Sequence, residues 1–236
     1  TPVVFLKELI DSIINQSYEN WELCLADGNS KNGQELKEVI DSYKNEKIKY
    51  IRLSENKGIS GNTNAAIEMS TGDFIAFVDH DDVLPPFALY EVINCIKNCE
   101  GVDFIYSDDD RINKDGSERC YPCFKPDFSI DRLRCCNYIG HLTVAKRSLI
   151  YEVGLLNSEY DGSQDHDFVL RSTEKAKRIE HIPKVLYHWR MHENSVALNE
   201  NSKEYATVAA KKALSAHLKR IGLKGEVING VIPNSY

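Results

Sequence analysis

The chain has 236 residues, of which 29 are basic and 36 acidic, giving a formal net charge of −7. This length accommodates one large α/β domain with a sizeable core, and the acidic balance argues against a nucleic-acid-binding protein. No apolar run approaches the ~20 residues of a membrane-spanning helix, and seven scattered cysteines are typical of reduced intracellular thiols.

Helical and extended patterns alternate along the first 107 residues. Helices are predicted near residues 2–14, 36–43, 62–70 and 87–98, and strands at residues 21–25, 48–53, 74–78 and 102–107. This alternation predicts a mostly parallel sheet flanked by helices.

Beyond residue 107 the pattern is less regular. Residues 108–128 contain acids, prolines and aromatics, and we expect a long loop with a turn at Asp115–Gly116. A long helix is predicted from about residue 203 to 221, with Gly222 at its C′ position. Residues 226–232 have the composition of a strand.

The two ends of the chain look abrupt for such a sheet. Thr1 and Pro2 already begin a helix, whereas the first helix of a doubly wound sheet normally follows a strand. We therefore expect one domain over residues 1–236 that is part of a longer polypeptide and lacks the first strand of its sheet.

The most informative stretch is the acidic turn that follows the apolar run 74–78. Asp79, Asp81 and Asp82 place three carboxylates in one turn, with His80 between them. Carboxylates this close repel one another, and a divalent cation with a preference for oxygen ligands would remove the repulsion. A cation at the carboxyl end of a buried strand is well placed to bind a diphosphate. The alternative is a solvated turn in which Asp82 lies near a helix N-cap.

Several ordered segments together resemble the family 2 glycosyltransferases of the GT-A (Rossmann-like) fold, in particular bacterial rhamnosyltransferase-like members. They are residues 27–30, 55–64, 79–82, 106–110, 125–127, 137–141, 162–167 and 187–192. The resemblance implies a nucleotide-binding half at 1–107 and an acceptor-side half at 108–236. Because the first strand is central to the sheet in this family, we also expect an open slot beside residues 21–25.

The resemblance implies how a nucleotide would be seated. Asp27 is expected to contact the nucleobase, since a carboxylate accepts a hydrogen bond from a uracil or thymine imide. This chain has Gly28 where the family often has a second acid. The residues expected beneath the nucleotide are Asn56, Lys57, Gly58 and Asn62. From the residues alone, both segments are also compatible with an Asp-Gly turn and a helix N-cap that bind nothing.

Residues 79–82 match the D-x-D motif of the family. The resemblance implies that Asp81 ligates Mn²⁺ or Mg²⁺ directly, that Asp79 contacts the ribose or reaches the metal through water, and that His80 shapes the turn on the donor side. His192 resembles a late histidine that reaches the metal or a phosphate. Arg190 is expected to neutralise diphosphate charge with its planar guanidinium.

Residues 162–167 resemble an E-D motif at a helix start, with Gln164 in place of the glutamate. Asp165 is expected to be the general base, because inverting transfer needs one carboxylate to take the proton of the acceptor hydroxyl. Asp167 is the second candidate. An aspartate here is also a common N-cap, and one residue can serve both roles.

The acceptor side is expected to include Gly140, His141, Gln164 and Trp189, with Asp108 near the donor sugar or the acceptor. The residues alone leave alternatives open. Asp108 is also compatible with a solvated acidic loop and His141 with a structural histidine, and Trp189 is more often a core residue than a sugar platform.

The function implied by the resemblance is inverting, metal-dependent transfer of a sugar from a UDP- or dTDP-linked donor to a hydroxyl of a glycan or lipid-linked acceptor. The expected setting is surface polysaccharide synthesis in the cytoplasm, at the inner face of the membrane. Two alternatives remain: a nucleotidyltransferase on a similar sheet, and a non-catalytic module that binds sugar nucleotides.

Overall fold

The computed structural model describes residues 2–192, 200–232 and 235–236. The helices are α1 (Val3–Ile14), α2 (Gly33–Ser42), α3 (Gly58–Met69), α4 (Ala88–Asn98), α5 (Ile130–Cys135), α6 (Arg147–Val153), α7 (Gln164–Lys175) and α8 (Glu200–Arg220), with a 3₁₀ helix at Ser158–Tyr160. The strands are β1 (Leu23–Asp27), β2 (Ile48–Arg52), β3 (Phe74–Phe77), β4 (Phe104–Ile112), β5 (Arg119–Cys123), β6 (Thr143–Lys146) and β7 (Ile179–Arg190). The helices and strands predicted over the first 107 residues are present, as is the long helix α8. This helix ends at Arg220, and Gly222 follows it with φ +72°.

The strands form two sheets, and β4 is the central strand of the larger one. β1 and β2 make a two-stranded sheet, and the order in the second sheet is β3-β6-β4-β5, with β7 on the other side of β4. Phe104, Ile105 and Tyr106 at the start of β4 are at most 1% exposed, because helices cover both faces of the sheet there. The α/β class predicted from the sequence is therefore confirmed.

The longest strand registers are parallel, as expected, but antiparallel pairs also occur among the described strands. β1–β2 and β4–β7 are parallel, whereas β3–β6, β4–β6 and β4–β5 are antiparallel. β6 enters between β3 and β4 from the acceptor-side half, and it runs against both. The helix–strand alternation that suggested parallel pairing extends only to about residue 107, and it carries no information about this later insertion.

The long loop expected at 108–128 is instead a β-hairpin. β4 continues to Ile112 and pairs with β5, and the connection between them contains the predicted turn, with Gly116 at φ +73°. The expected boundary between the two halves at residue 107 falls inside β4. The acids that suggested a loop have partners in the folded chain: Asp108 pairs with His181, Asp109 with Lys125, and Asp110 with His188 and Arg119.

Three other local predictions differ from the structure. No strand forms over residues 226–232, where Val231 and Ile232 are strongly exposed and have no partner strand. Helix α3 begins at Gly58, four residues before the predicted start. Pro2 precedes α1 as its N-cap rather than beginning it, and Thr1 lies outside the described residues.

The predicted open slot beside residues 21–25 is present. Within the described residues β1 pairs only with β2, and β3 pairs only with β6, so each of these strands has one unpaired edge. A cavity of about 1540 Å³ runs between them. Leu6, Leu9 and Ile13 of α1 line it, together with residues along both strands. The backbone N–H and C=O groups on the unpaired edges of β1 and β3 therefore face this cavity and make no hydrogen bonds there to a neighbouring strand among the described residues.

No helix in the described part of the chain is both long and apolar enough to cross a membrane. All seven cysteines are free thiols.

Glu22 connects the two sides of the slot at its amino-terminal end. Its carboxylate accepts hydrogen bonds from the backbone N–H groups of Thr71 (2.5 Å) and Gly72 (2.8 Å), just before β3, and forms an ion pair with Lys49 of β2. Burial alone would raise the pKa of Glu22, but these contacts outweigh it and lower the pKa from 4.5 to about 2. The ionised side chain therefore stabilises the fold across a gap that has no strand pairing.

Glu22→Gln should lower the free energy of unfolding near neutral pH by about 1–2 kcal/mol, the typical contribution of hydrogen bonds to a charged group, discounted for partial exposure. Because the folded pKa is depressed, this contribution is present above the unfolded value of 4.5 and is lost as pH falls towards 2. Urea titrations of both proteins at several pH values should show the difference shrinking below pH 4.5. A difference that stays constant with pH would contradict this role.

Candidate active site

The slot opens into a cleft at the carboxyl ends of β1 and β3, where most of the predicted site residues meet. Those that line the continuous cavity are Asp27, Asn56, Gly58, Asn62, Asp79, His80, Asp81, Gly140, His141, Gln164, Asp165, Trp189 and His192. Lys57, Asp108, Asp167 and Arg190 do not line it. The cleft therefore brings together parts of the chain separated by more than a hundred residues.

Asp27 ends β1 and is almost fully buried. Its carboxylate accepts hydrogen bonds from the N–H of Ser30 (2.8 Å) and the hydroxyl of Tyr50 (3.1 Å), and Arg52 lies 3.6 Å away. Burial opposes ionisation, but these contacts prevail and lower the pKa of Asp27. It is thus a fixed anionic acceptor at the edge of the cleft.

The loop before α3 is organised by two asparagines. The side-chain oxygen of Asn56 accepts from the Asn62 amide (2.9 Å) and from the N–H of Gly58 (3.0 Å), while the Asn62 oxygen accepts from the N–H of Lys57 (3.1 Å). A Cβ atom on Gly28 would lie only 2.5 Å from the Asn62 amide nitrogen. A larger residue at position 28 would therefore displace this asparagine pair. The side chain of Lys57 is exposed outside the cleft.

The acidic turn after β3 is held from beneath by β7. Asp82 is fully buried, and its carboxylate accepts from the Tyr187 hydroxyl (2.5 Å) and the Arg190 N–H (2.7 Å). The same hydroxyl accepts from the N–H of Asp79 (3.1 Å). Burial, reinforced by the charges of Asp79 and Asp81, raises the pKa of Asp82 to about 7. One of the three carboxylates is therefore structural, and the other two face the cleft.

Arg190 is a second support of the same turn. Its guanidinium is buried and donates to the carbonyl oxygens of Asp81 (2.7 Å) and Lys114 (2.8 Å) and pairs with Glu8 of α1. It also lies over the ring of Phe5. Since these partners surround the guanidinium, the structure places Arg190 behind the turn, and the expected diphosphate contact is not one that this arrangement offers.

Asp81 and His192 are the side chains best placed to hold a metal ion. Asp81 Oδ2 lies 2.7 Å from His192 Nε2, and both residues face the cleft. Among the described residues no three acids, histidines or cysteines are grouped as a metal site. Mg²⁺ is commonly held by one or two carboxylates together with substrate phosphates rather than by an all-protein cage. An oxygen and a nitrogen donor at the mouth of a cleft fit such a shared site.

His141 lies between the acidic turn and the start of α7. Its Nε2 atom is 3.3 Å from Asp79 Oδ2, and its ring stacks on Tyr187 at 4.6 Å and meets Trp189 edge-on. Burial opposes protonation, but the carboxylates of Asp79, Asp82 and Asp165 raise the pKa of His141 to about 9. The histidine therefore partly neutralises Asp79, whereas Asp81 remains directed towards His192.

The two candidate bases in α7 have different surroundings. Asp165 faces the cleft, and its carboxylate accepts a hydrogen bond from the Asn137 amide (2.9 Å). Asp167 is fully buried and pairs with Arg171 one turn later. Gln164 accepts from the N–H of Gly162 (2.8 Å), which places it beside Asp165 at the start of the helix. Only Asp165 is accessible to a molecule in the cleft.

Asp108 lies in the sheet and not at the cleft. It is 2% exposed, and its carboxylate accepts from the N–H of Lys125 (2.9 Å) and contacts His181 (2.8 Å). Its surroundings are those of a buried structural acid, so we do not retain it as a donor or acceptor contact.

Sequence reasoning missed several supporting residues. Asn137 orients Asp165, and Tyr187 braces the acidic turn. Lys125 is buried and donates to the carbonyl oxygens of Ser107, Ile139 and His141, which fixes the segment carrying His141. The sequence gives no local signal for Lys125, because its acceptors lie 14 to 18 residues away in the chain.

Arg190→Lys tests the supporting role of this arginine. The lysine keeps the charge but cannot reproduce the planar fork, so it leaves at least one of the carbonyl oxygens of Asp81 and Lys114 without its donor. The free energy of unfolding should fall by about 1–3 kcal/mol, the cost of an unsatisfied buried polar group. Arg178→Lys, at a half-exposed position paired with Glu180, is the matched control and should change stability by less than about 0.5 kcal/mol. Unchanged stability in Arg190→Lys, measured by urea denaturation, would contradict the supporting role.

Comparison with known proteins identifies the group to which this architecture belongs. The profile described as "Glycosyl transferase family 2" matches residues 4–154, well over half of the chain. Among curated relatives, uncharacterized protein y4gI of Sinorhizobium fredii is 41% identical over 98% of this chain and 26% of its own length. O-antigen biosynthesis protein RfbC of Myxococcus xanthus is 34% identical over 94% of this chain and 18% of its own length. The chain thus spans about a quarter or less of these two relatives.

Among solved structures, residues 1–349 of S. aureus TarS in complex with UDP-GlcNAc superpose with a TM-score of 0.68 at 18% identity. The match covers 91% of this chain and 68% of that one, and it confirms the GT-A fold. The profile match, the relatives and the fold agree. The chain therefore belongs to glycosyl transferase family 2, as the motifs indicated.

Proposed function

We propose that this chain transfers a sugar from a nucleoside-diphosphate sugar to a hydroxyl acceptor, with inversion at the anomeric carbon. The observation that carries the proposal is the meeting of three features in one cleft: a buried anionic acceptor at Asp27, the Asp81–His192 pair, and an accessible carboxylate at Asp165. The first suits a nucleobase, the second a cation with a diphosphate, and the third a hydroxyl.

Each end of the donor would meet a group of suitable chemistry. The lowered pKa of Asp27 keeps it ionised, so it can accept the imide N–H of uracil or thymine. The Asn56–Asn62 pair supports the chain beneath the nucleotide. TarS, which has the same fold, was solved with UDP and with UDP-GlcNAc, so UDP is the first nucleotide to test.

The cleft is too acidic to attract a diphosphate by itself. Among the described residues, Asp79, Asp81 and Asp165 all face it, and the raised pKa of His141 keeps that side chain as a cation between them. We propose that Asp81 and His192 hold Mn²⁺ or Mg²⁺, which when bound would neutralise the leaving diphosphate. Asp79 would remain paired with His141 and contact the ribose.

Asp165 is the proposed general base. A carboxylate within hydrogen-bond reach of the acceptor hydroxyl takes its proton as the new glycosidic bond forms. Asn137 holds this carboxylate at a fixed orientation, and Trp189, Gly140 and Gln164 form the surrounding acceptor surface. Asp167 is excluded from this role because Arg171 engages it in the core.

The biological setting we propose is assembly of a surface polysaccharide at the inner face of the membrane. It rests on the similarity to an O-antigen biosynthesis protein. The competing function is a sugar-nucleotide-binding module without turnover, which the following experiments separate from an enzyme.

Asp81→Ala should remove metal-dependent nucleotide binding. In titration calorimetry with UDP and Mn²⁺, we expect affinity to fall at least tenfold, equivalent to about 1.4 kcal/mol, and EDTA should have the same effect on the unmodified chain. Asp131→Ala, at an acid 87% exposed on α5, is the control and should bind normally. UDP binding that ignores both EDTA and the Asp81 substitution would eliminate the metal site.

Asp165→Asn should separate binding from turnover. The amide keeps the shape of the side chain but cannot accept a proton, so we expect UDP affinity within about twofold and a turnover rate lower by about 10²–10⁴. The substrate is whichever sugar nucleotide of a UDP- and dTDP-linked panel the unmodified chain turns over fastest.

Asp167→Asn is the comparison for this experiment. Loss of its ion pair with Arg171 should lower thermal stability, with turnover falling only in proportion to the folded fraction. Normal turnover in Asp165→Asn would refute the assignment of the base. Nucleotide binding without turnover by the unmodified chain, for every donor in the panel, would favour the non-catalytic module.

A further inference from the structure

Helix α3 lacks a side-chain cap of its own and takes one from a distant segment. The first N–H groups of a helix have no partner within it. At α3 one of them, the N–H of Ser60, donates to Asp161 Oδ1 (3.2 Å), and the Ser60 hydroxyl donates to the same oxygen. The two residues are 101 positions apart in the chain. Ser60 is 1% exposed, whereas Asp161 is partly exposed, so the contact is buried on the side of the helix.

Gly58 allows the carboxylate of Asp161 to approach the start of the helix. Its φ is +75°, and a Cβ atom there would lie 2.6 Å from Asp161 Oδ2. Any other residue would therefore be strained and would also displace the carboxylate. This explains the glycine at the start of α3 without reference to a ligand.

One turn further along α3, Asn64 makes a second connection to the same segment. Its amide donates to the carbonyl oxygen of Leu156 (2.9 Å), and its oxygen accepts from the N–H of Leu156 (3.0 Å). A reciprocal pair of this kind uses both faces of the amide and fixes distance and orientation together. We call the group formed by Ser60, Asn64, Leu156 and Asp161 the α3 bracket.

The α3 bracket lies between the two halves of the proposed chemistry. On one side it fixes the helix whose first residues carry the Asn56–Asn62 loop. On the other side Asp161 is followed by Gly162, whose N–H donates to Gln164, and then by Asp165 at the start of α7. No strand joins these two regions in the described residues.

We propose that Asp161 and Asn64 are positioning residues that set the distance between the nucleotide loop and the base Asp165. The effect on catalysis rests on the proposed function. The physical connection between the two segments does not depend on it. Neither residue lines the cleft, so both act through the segments that they join.

The physical connection is tested without any ligand, by hydrogen–deuterium exchange of the folded chain. Asp161→Ala and Asn64→Ala should accelerate exchange of backbone amides in residues 58–64 and also in residues 163–167, by about tenfold in both. Asn157→Ala is the matched control, because its side chain caps Glu159 in the same connection and is not part of the α3 bracket. It should leave residues 58–64 unchanged. Acceleration confined to residues 58–64 in Asp161→Ala would overturn the proposal.

The catalytic consequence is tested by turnover of the sugar nucleotide. Asp161→Ala should lower kcat about tenfold while the KM for the donor changes less than about threefold, and Asp161→Asn, which keeps an acceptor for Ser60, should recover part of the loss. In an Asp165→Asn background the Asp161→Ala change should cost nothing further. An equal loss in both backgrounds would mean a general structural role and would overturn the proposal. Coupled exchange in a chain with no turnover would instead refute the proposed function and leave the connection standing.

Discussion

The buried carboxylate of Asp82 is the interaction on which the rest of the site depends. It accepts hydrogen bonds from β7 through Tyr187 and Arg190, and these contacts fix the turn that follows β3. Arg190 then holds the carbonyl of Asp81 from behind. Three neighbouring acids would be costly if all were ionised and facing the same water. Their cost is reduced because one is buried with a raised pKa and another lies beside His141. Asp81 is left beside His192 at the mouth of the cleft.

The second constraint is the open slot between β1 and β3. Parallel sheets normally bury both faces and pair every interior strand, yet here two strand edges face a cavity. The two sides are joined at one end by Glu22 and at the other by the α3 bracket. Polar contacts at the two ends of the slot therefore fix the relative position of β1 and β3, which backbone hydrogen bonds do for the other strands. The cleft that receives the proposed substrate is the continuation of this slot, so its shape depends on both connections.

Local patterns in the sequence were sufficient to predict most of the first half. Apolar spacing located α1, α2, α4 and β1 to β3 within a few residues, because each signal lies within its own element. The motif residues around Asp81 and Asp165 were recognised through a family resemblance, and the structure brings them to one cleft.

What could not be predicted depends on partners far along the chain. The β4–β5 hairpin looked like an acidic loop because the hydrogen-bond partners of its aspartates, such as His181 and His188, lie some 70 to 80 residues away in the chain. The start of α3 was misplaced because its cap is Asp161. The antiparallel insertion of β6 is likewise a non-local pairing. Arg190 was expected to contact the diphosphate because the sequence does not show that its guanidinium already contacts Glu8 and two carbonyl oxygens.

The proposed reaction requires a cation and a diphosphate to bind together at the mouth of the cleft beside Asp81. The most direct measurement is a crystal structure with UDP and Mn²⁺, with the metal located by its anomalous scattering. We expect an anomalous peak beside Asp81 and His192 and next to the diphosphate of UDP, with the uracil ring near Asp27. Manganese and UDP bound elsewhere, or neither bound at saturating concentration, would contradict it.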